Sequence, residues 1–233
     1  MGKTERVGVV FVSHSSKIAD GLVELSRQMA PHVSFLPAGG TDDDGIGTSF
    51  ARVTAAIEAA EGGAGVVVLC DLGSAILTAE TALDFLEDNV KTRIRLVDAP
   101  LVEGGVAAGV AAEIGGDLDA VAAAAGSAMG SSAAPSAAVG AAAESAHRPV
   151  ASRTVMLINR DGLHARPAAE FVKLANTFDV RITVNGTEAT SLLGIMSLGL
   201  RRGMSAEISA SGVGADDAVR SLAELLESGF GEA

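Results

Sequence analysis

The order and periodicity of the apolar segments predict an α/β chain in two parts. The first is an N-terminal, mainly parallel sheet with helices on both faces; the second is a C-terminal α+β open-faced sandwich. Three observations carry this. Over residues 1–122, short Val-, Ile- and Leu-rich runs alternate with stretches of helical period, the pattern of repeated strand–helix units. Residues 123–151 are dominated by Ala, Ser and Gly, with Pro135 and Pro149, and read as a linker. Residues 152–233 run strand, helix, hairpin, short helix, strand, helix, an order that places helices on one side of an antiparallel sheet.

In the first part, residues 7–12 read as a buried strand, and Ile18, Leu22, Leu25 and Met29 recur at helical spacing behind it. Residues 33–36 are a second, shorter strand. The polar loop Gly39-Gly40-Thr41-Asp42-Asp43-Asp44-Gly45 leads through Gly47-Thr48-Ser49 to a helix carrying Phe50, Val53, Ile57 and Ala60. A third strand, residues 65–69, runs into Cys70-Asp71-Leu72-Gly73-Ser74, where Ser74 fits the N-cap of the next helix. Residues 94–97 form a fourth strand, followed by Asp98–Glu103 and an Ala-rich helix. In the second part, residues 153–158 are a strand and 165–176 a helix. Residues 180–190 are a hairpin on an Asn185-Gly186 turn, 192–198 a short helix, 206–210 a strand and 215–226 the last helix.

Composition narrows the function. The 233 residues include one Cys, no Trp and no Tyr, so Ala, Val, Leu and Ile must fill both cores and no internal disulfide framework exists. That cysteine usage fits a reducing, cytoplasmic setting, and residues 1–12 do not read as a signal peptide. No apolar stretch reaches the length of a membrane span. The net charge of -12 makes nucleic acid or an anionic membrane a poor partner. The charge is uneven: residues 1–125 hold 8 Lys+Arg against 18 Asp+Glu, whereas residues 152–233 hold 8 against 10. In the second part Arg160 and Arg166 flank His164, and Arg201 and Arg202 lie further along, a surface suited to an acidic partner.

Two histidines stand out because each sits between a strand and a helix. His14 lies in Val12-Ser13-His14-Ser15-Ser16, and His164 in Gly162-Leu163-His164-Ala165-Arg166-Pro167-Ala168-Ala169. A helix start offers unpaired N–H groups and the positive end of the helix dipole, which receive a phosphoryl group well. In parallel sheets the ligand crevice lies beyond the carboxyl ends of the strands, so His14, Asp71 and residues 98–103 should meet there. The remaining candidates are plain. Asp42-Asp43-Asp44-Gly45 lacks the spacing of a calcium loop and reads as solvated, and no Gly-Lys-Ser/Thr makes a P-loop. Cys70 reads as a small buried apolar residue; His32 and His147 read as loop or linker residues without partners. No cofactor and no metal site is expected.

The string around His164, with Phe171-Val172-Lys173, Thr190-Ser191-Leu192 and Met196-Ser197-Leu198-Gly199-Leu200, resembles HPr, the histidine phosphocarrier of the phosphoenolpyruvate phosphotransferase system, over roughly residues 152–228. The resemblance implies that His164 is phosphorylated and Arg166 contacts the phosphate. Ser191 lies where some HPr proteins carry a regulatory serine. The hairpin is shorter than usual in that family and Thr190 stands where lysine is common, so an N-cap of the short helix is the alternative role.

Residues 10–17, Asp71-Leu72-Gly73-Ser74-Ala75-Ile76-Leu77-Thr78-Ala79-Glu80-Thr81-Ala82-Leu83 and Ala99-Pro100-Leu101-Val102-Glu103-Gly104, together with Gly45-Ile46-Gly47-Thr48, resemble the phosphotransfer-subunit family of dihydroxyacetone kinase (DhaM), whose N-terminal domain is similar to the mannose-class IIA domain. This implies that His14 takes the phosphoryl group and Asp71 orients its imidazole; Thr48 and Ser74 would be phosphate-side donors, with helix N-caps as their alternative. The implied partners are a separate enzyme I and the nucleotide-binding and substrate-binding subunits of the kinase, with a homodimer through the N-terminal domain. The expected function is a relay from phosphoenolpyruvate through enzyme I to His164, then His14, then ADP on the nucleotide subunit. A mannose-class IIA–HPr fusion serving a sugar permease and a regulator that binds according to phosphorylation state are the alternatives.

Overall fold

The computed structural model of the chain describes residues 5–128, 151–160 and 162–231. The chain forms two compact units, Met1–Gly130 and Ser131–Ala233. In the first, four strands pair in parallel in the order β2-β1-β3-β4: β1 Gly8–Ser13, β2 Phe35–Gly39, β3 Val66–Cys70 and β4 Ile94–Val97. Every β1 and β3 residue is buried, because helices cover both faces and alternate side chains enter opposite cores. Val9, Phe11, Val67 and Leu69 pack under α1 (Ser16–Met29), α5 (Leu101–Glu113) and α6 (Leu118–Gly126). Val10, Val12, Val66 and Val68 pack under α2 (Phe50–Ala60) and α3 (Gly73–Asp84). A single turn, α4 (Asp88–Lys91), leads into β4.

Three details differ from the sequence expectation. On α1 the buried stripe is Ala19, Leu22, Val23, Ser26 and Met29, whereas Ile18 and Leu25 face outward, 50% and 40% exposed. At its start the helix approaches the β2 backbone closely, which suits the small Ala19 in place of Ile18: a Cβ on Gly39 would lie 2.7 Å from the Ser16 Cα and 2.9 Å from the Ala19 Cβ. Second, α6 runs past residue 122, capped by Asp117, which accepts from the Ala120 N–H at 2.9 Å. It buries Val121 and Ala125, with Ala128 buried just beyond it, so this Ala-rich piece packs on the sheet instead of opening the linker. The rest of the expected linker, residues 129–150 with His147, lies outside the described residues. Third, His32 is partnered: its Nδ1 lies 2.6 Å from Glu113 Oε1, and its N–H donates to Oε2 at 3.0 Å.

The second unit is antiparallel, in the order β5-β8-β6-β7: β5 Ala151–Met156, β6 Arg181–Val184, β7 Thr187–Glu188 and β8 Ser205–Ser211. Helices α7 (Ala165–Ala175), α8 (Leu192–Ser197) and α9 (Ala215–Glu227) bury Phe171, Ile195 and Leu222 with Ile182 and Ile208 of the sheet. Asn185 and Gly186 both take positive φ, 48° and 81°, as a type I′ hairpin turn requires. Among the described residues no helix is long and apolar enough to cross a membrane.

Candidate functional site

In the N-terminal sheet the chain leaves β1 for β2 on one side and returns to β3 on the other. The carboxyl ends of β1 and β3 therefore flank a topological switch point, where crevices open in such sheets. His14 follows β1 and Asp71 follows β3. Since Val12 pairs with Cys70, Ser13 and Asp71 take the next position in register, with side chains on one face. Ser13 Oγ donates to Asp71 Oδ2 at 2.8 Å, and the His14 N–H donates to the same oxygen at 2.8 Å. The Leu72 N–H donates to Oδ1 at 2.7 Å, and His14 Nδ1 lies 2.8 Å from Oδ1. Burial pushes the Asp71 pKa up, but the hydrogen bonds from His14, Ser13 and Leu72 outweigh it and hold the carboxyl below the usual aspartate value.

An ionised carboxylate only accepts, so the proton between the two residues sits on His14 Nδ1. The Nε2 lone pair of the neutral ring then faces outward, and Ser74 Oγ lies 2.6 Å from it. Ser74 is thus not the N-cap of α3; Leu72 occupies that position, and the serine sits within the first turn with its hydroxyl turned to the imidazole. Thr48 is not a cap either, because Ser49 caps α2 by accepting from the Arg52 N–H at 3.1 Å. Thr48 Oγ1 lies 2.8 Å from Thr78 Oγ1, and Thr78 donates to the Ser74 carbonyl at 3.0 Å. With the single Thr78 proton so used, Thr48 is the donor of that pair.

The acidic loop before Thr48 is not simply solvated. Arg52 bonds the Gly39 carbonyl at 3.0 Å and the Asp44 carboxylate at 2.5 Å, Ser49 Oγ donates to Asp42, and the Gly47 N–H donates to the His14 carbonyl at 2.9 Å. Of residues 98–103, Asp98 lines a small cavity with Cys70, Ile76 and Glu80. Cys70 is buried, and burial, with Asp71 and Glu80 nearby, pushes its thiol up to about 12, so it is an inert packing residue at neutral pH. Among the described residues no group of three or more His, Cys, Asp and Glu side chains could hold a metal ion.

His164 occupies the N-cap position of α7 in extended backbone, φ -75° and ψ -178°, and is exposed. Ala165 and Arg166 supply the first-turn N–H groups, and Pro167 has none to leave unpaired. The turn is fixed by Gly162, at φ 70°, where a Cβ would lie 2.2 Å from the Leu200 carbonyl oxygen. Buried Asn159 donates to the Gly162 carbonyl at 2.5 Å, and the Leu163 N–H donates to Leu200 at 2.9 Å. Arg166 is exposed and lies 3.6 Å from Glu170, one turn along. Ser191 caps α8, accepting from the Gly194 N–H at 3.1 Å.

The sequence reading brought together His14, Asp71 and Ser74, with Thr48 one hydroxyl removed. It missed Ser13 and Thr78. The signal for Thr78 was present, four residues after Ser74 on one helix face; that for Ser13 was its position before His14 at a strand end.

Residues 8–122 match the family model described as PTS system fructose IIA component (EIIA-man), and residues 151–228 match that of the PTS HPr component phosphorylation site. Fold and family models together define the class, phosphotransferase-system proteins in which a IIA-type unit and an HPr-type unit share one chain. Over 240 residues the chain is 36% identical to the phosphoryl donor subunit DhaM of PEP-dependent dihydroxyacetone kinase from Escherichia coli K12, covering 97% of this chain and 51% of that protein. It is 39% identical over 103 residues to a DhaM subunit of Listeria innocua, 44% of this chain and 82% of that one. It is also 44% identical over 79 residues to the phosphocarrier protein HPr of Vibrio cholerae, 32% of this chain and 93% of that one. The chain belongs to the DhaM family, and it spans about half the length of the first of these relatives.

Proposed function

We propose that the chain is a phosphoryl carrier of a phosphoenolpyruvate-dependent dihydroxyacetone kinase, with His164 and His14 as successive acceptors. The observation that carries this reading is the His14 imidazole, fixed by Asp71 with its Nε2 lone pair outward beside the Ser74 hydroxyl. An enzyme I-type donor phosphorylates His164, where the first-turn N–H groups of α7 and the Arg166 guanidinium compensate the phosphoryl charge. The His14 Nε2 lone pair then attacks phosphorus. The P–N bond to His164 breaks, and that ring recovers its electron pair. The positive charge left on the phosphorylated His14 ring is balanced by Asp71, which holds the Nδ1 proton throughout. Ser74 yields its place at Nε2 and donates to a phosphoryl oxygen; Thr48 joins it by giving up its bond to Thr78. ADP on the nucleotide-binding subunit is the final acceptor: a terminal oxygen of its β-phosphate attacks, the P–Nε2 bond breaks, and ATP forms for the substrate-binding subunit to use on dihydroxyacetone.

Ser191 is assigned to helix capping, since its hydroxyl is engaged with the Gly194 N–H. The N-terminal unit is proposed to pair with a second copy through its open sheet edges, which sedimentation would test. The setting is the cytoplasm, in keeping with one buried free cysteine.

The reading is tested by combining the chain with enzyme I, labelled phosphoenolpyruvate, the two kinase subunits, ADP and dihydroxyacetone. Labelled dihydroxyacetone phosphate that depends on this chain is the expected result. Label that stops at the histidines would instead favour a sugar permease or a regulatory role.

A further inference from the structure

Ser13 is the last residue of β1 and fully buried, one of four buried polar residues among the described ones. A buried hydroxyl at a strand end needs a partner. Ser13 has two: it donates to Asp71 Oδ2 at 2.8 Å and accepts from the Ser15 N–H at 3.1 Å. The register explains the first contact: Val12 pairs with Cys70, so Ser13 at the end of β1 and Asp71 just past the end of β3 take the next position. Asp71 Oδ2 thus receives Ser13 and the His14 N–H, while Oδ1 receives the Leu72 N–H and His14 Nδ1. Remove the Ser13 hydroxyl and Oδ2 keeps only the His14 N–H, so three hydrogen bonds in place of four hold the carboxylate about its χ2, a soft torsion. Oδ1 would then be held less firmly along the Nδ1–H direction.

We propose that Ser13 is a positioning residue for phosphoryl acceptance at His14, acting through Asp71: its hydroxyl locks the carboxylate so that the imidazole keeps its proton on Nδ1 and its lone pair on Nε2. This rests on the reading of His14 as an acceptor. No hydrogen bond joins the Ser13 hydroxyl to the ring: it reaches the imidazole through Asp71 Oδ2, while its second bond, from the Ser15 N–H, holds the turn.

The test uses the full chain with Ser13→Ala, Asp71→Asn and the double variant, each checked for folding by thermal melting. Long-range ¹⁵N–¹H spectra of the imidazole report the tautomer. Single-turnover labelling of His14 from a phosphorylated HPr reports the rate and the saturating concentration. Ser13→Ala is expected to turn a single Nδ1–H tautomer into a mixture. It should slow labelling roughly tenfold without raising the concentration of phosphorylated HPr needed for half-saturation. In the Asp71→Asn background the same change should add nothing, since the group it acts on is gone. Should Ser13→Ala fail to fold, Ser13→Cys, a smaller change with a weaker donor, is read in the same way. A wild-type tautomer and rate in the Ser13 variant overturn the proposal, as does an equal loss in both backgrounds. Absence of label at His14 in the wild type overturns the acceptor reading instead, and the tautomer spectra then decide the part of Ser13 separately.

Discussion

At the scale of single residues, the arrangement turns on one carboxylate. Asp71 fixes which nitrogen of His14 is nucleophilic, so Asp71→Asn, which cannot hold the Nδ1 proton by charge, should slow His14 labelling by roughly 100-fold or more, measured by single-turnover transfer. Its pKa has a second consequence. Asp71 ionises more readily in the folded chain than in the unfolded one, so it adds stability above the ordinary aspartate range. That contribution is lost as pH falls through the lower folded value. The stability gap between wild type and Asp71→Asn in urea unfolding should be constant above about pH 5 and narrow below about pH 4. His14, Asp71 and His164 were legible in the sequence because each sits at a strand end before a helix, a local pattern. Ser13 was not, since its partner lies 58 residues away and only the pairing of β1 with β3 joins them. Ser74 carried two readings for a related reason: a serine before an apolar helical run looks like a cap until a distant imidazole claims its hydroxyl.

At the scale of elements, α5 shows how composition hides geometry. Its Ala-rich sequence predicts a helix, but its glycines set how closely that helix lies on the sheet. A Cβ on Gly105 would come 2.2 Å from the Phe11 ring, and one on Gly109 2.6 Å from Phe35. Those rings are fully buried and stack with centroids 6.0 Å apart, so neither can move aside cheaply. Gly105→Ala gains about 1 kcal/mol of helix propensity but overpacks a tight contact at about 1–3 kcal/mol, and should lower the melting temperature. Gly21→Ala, on the exposed side of α1 with nothing within 4 Å, carries the gain without the cost and should raise it. Similarly the end of α6, from residue 123, was read as linker from its alanines, although Asp117 marks the start of the helix. Propensity alone could not say that Val121 and Ala125 find the sheet.

At the scale of the whole molecule, two units with separate cores are joined by residues that the sequence marks as Ala, Ser and Gly. Two reactive groups carried on one chain can meet at an effective concentration on the order of millimolar. Label should therefore pass from His164 to His14 at a rate that does not change on dilution of the protein below that level. A rate proportional to protein concentration would identify transfer between separate chains.

The four donors around Asp71 carry one more consequence. A carboxylate has about four lone-pair directions, and here each already receives a hydrogen, so none is left to bind a divalent cation. The aspartate beside the proposed acceptor histidine is in this sense blind to magnesium. The passage of phosphate from one histidine to the other should proceed unchanged in EDTA, with any magnesium requirement of the complete reaction residing at the nucleotide.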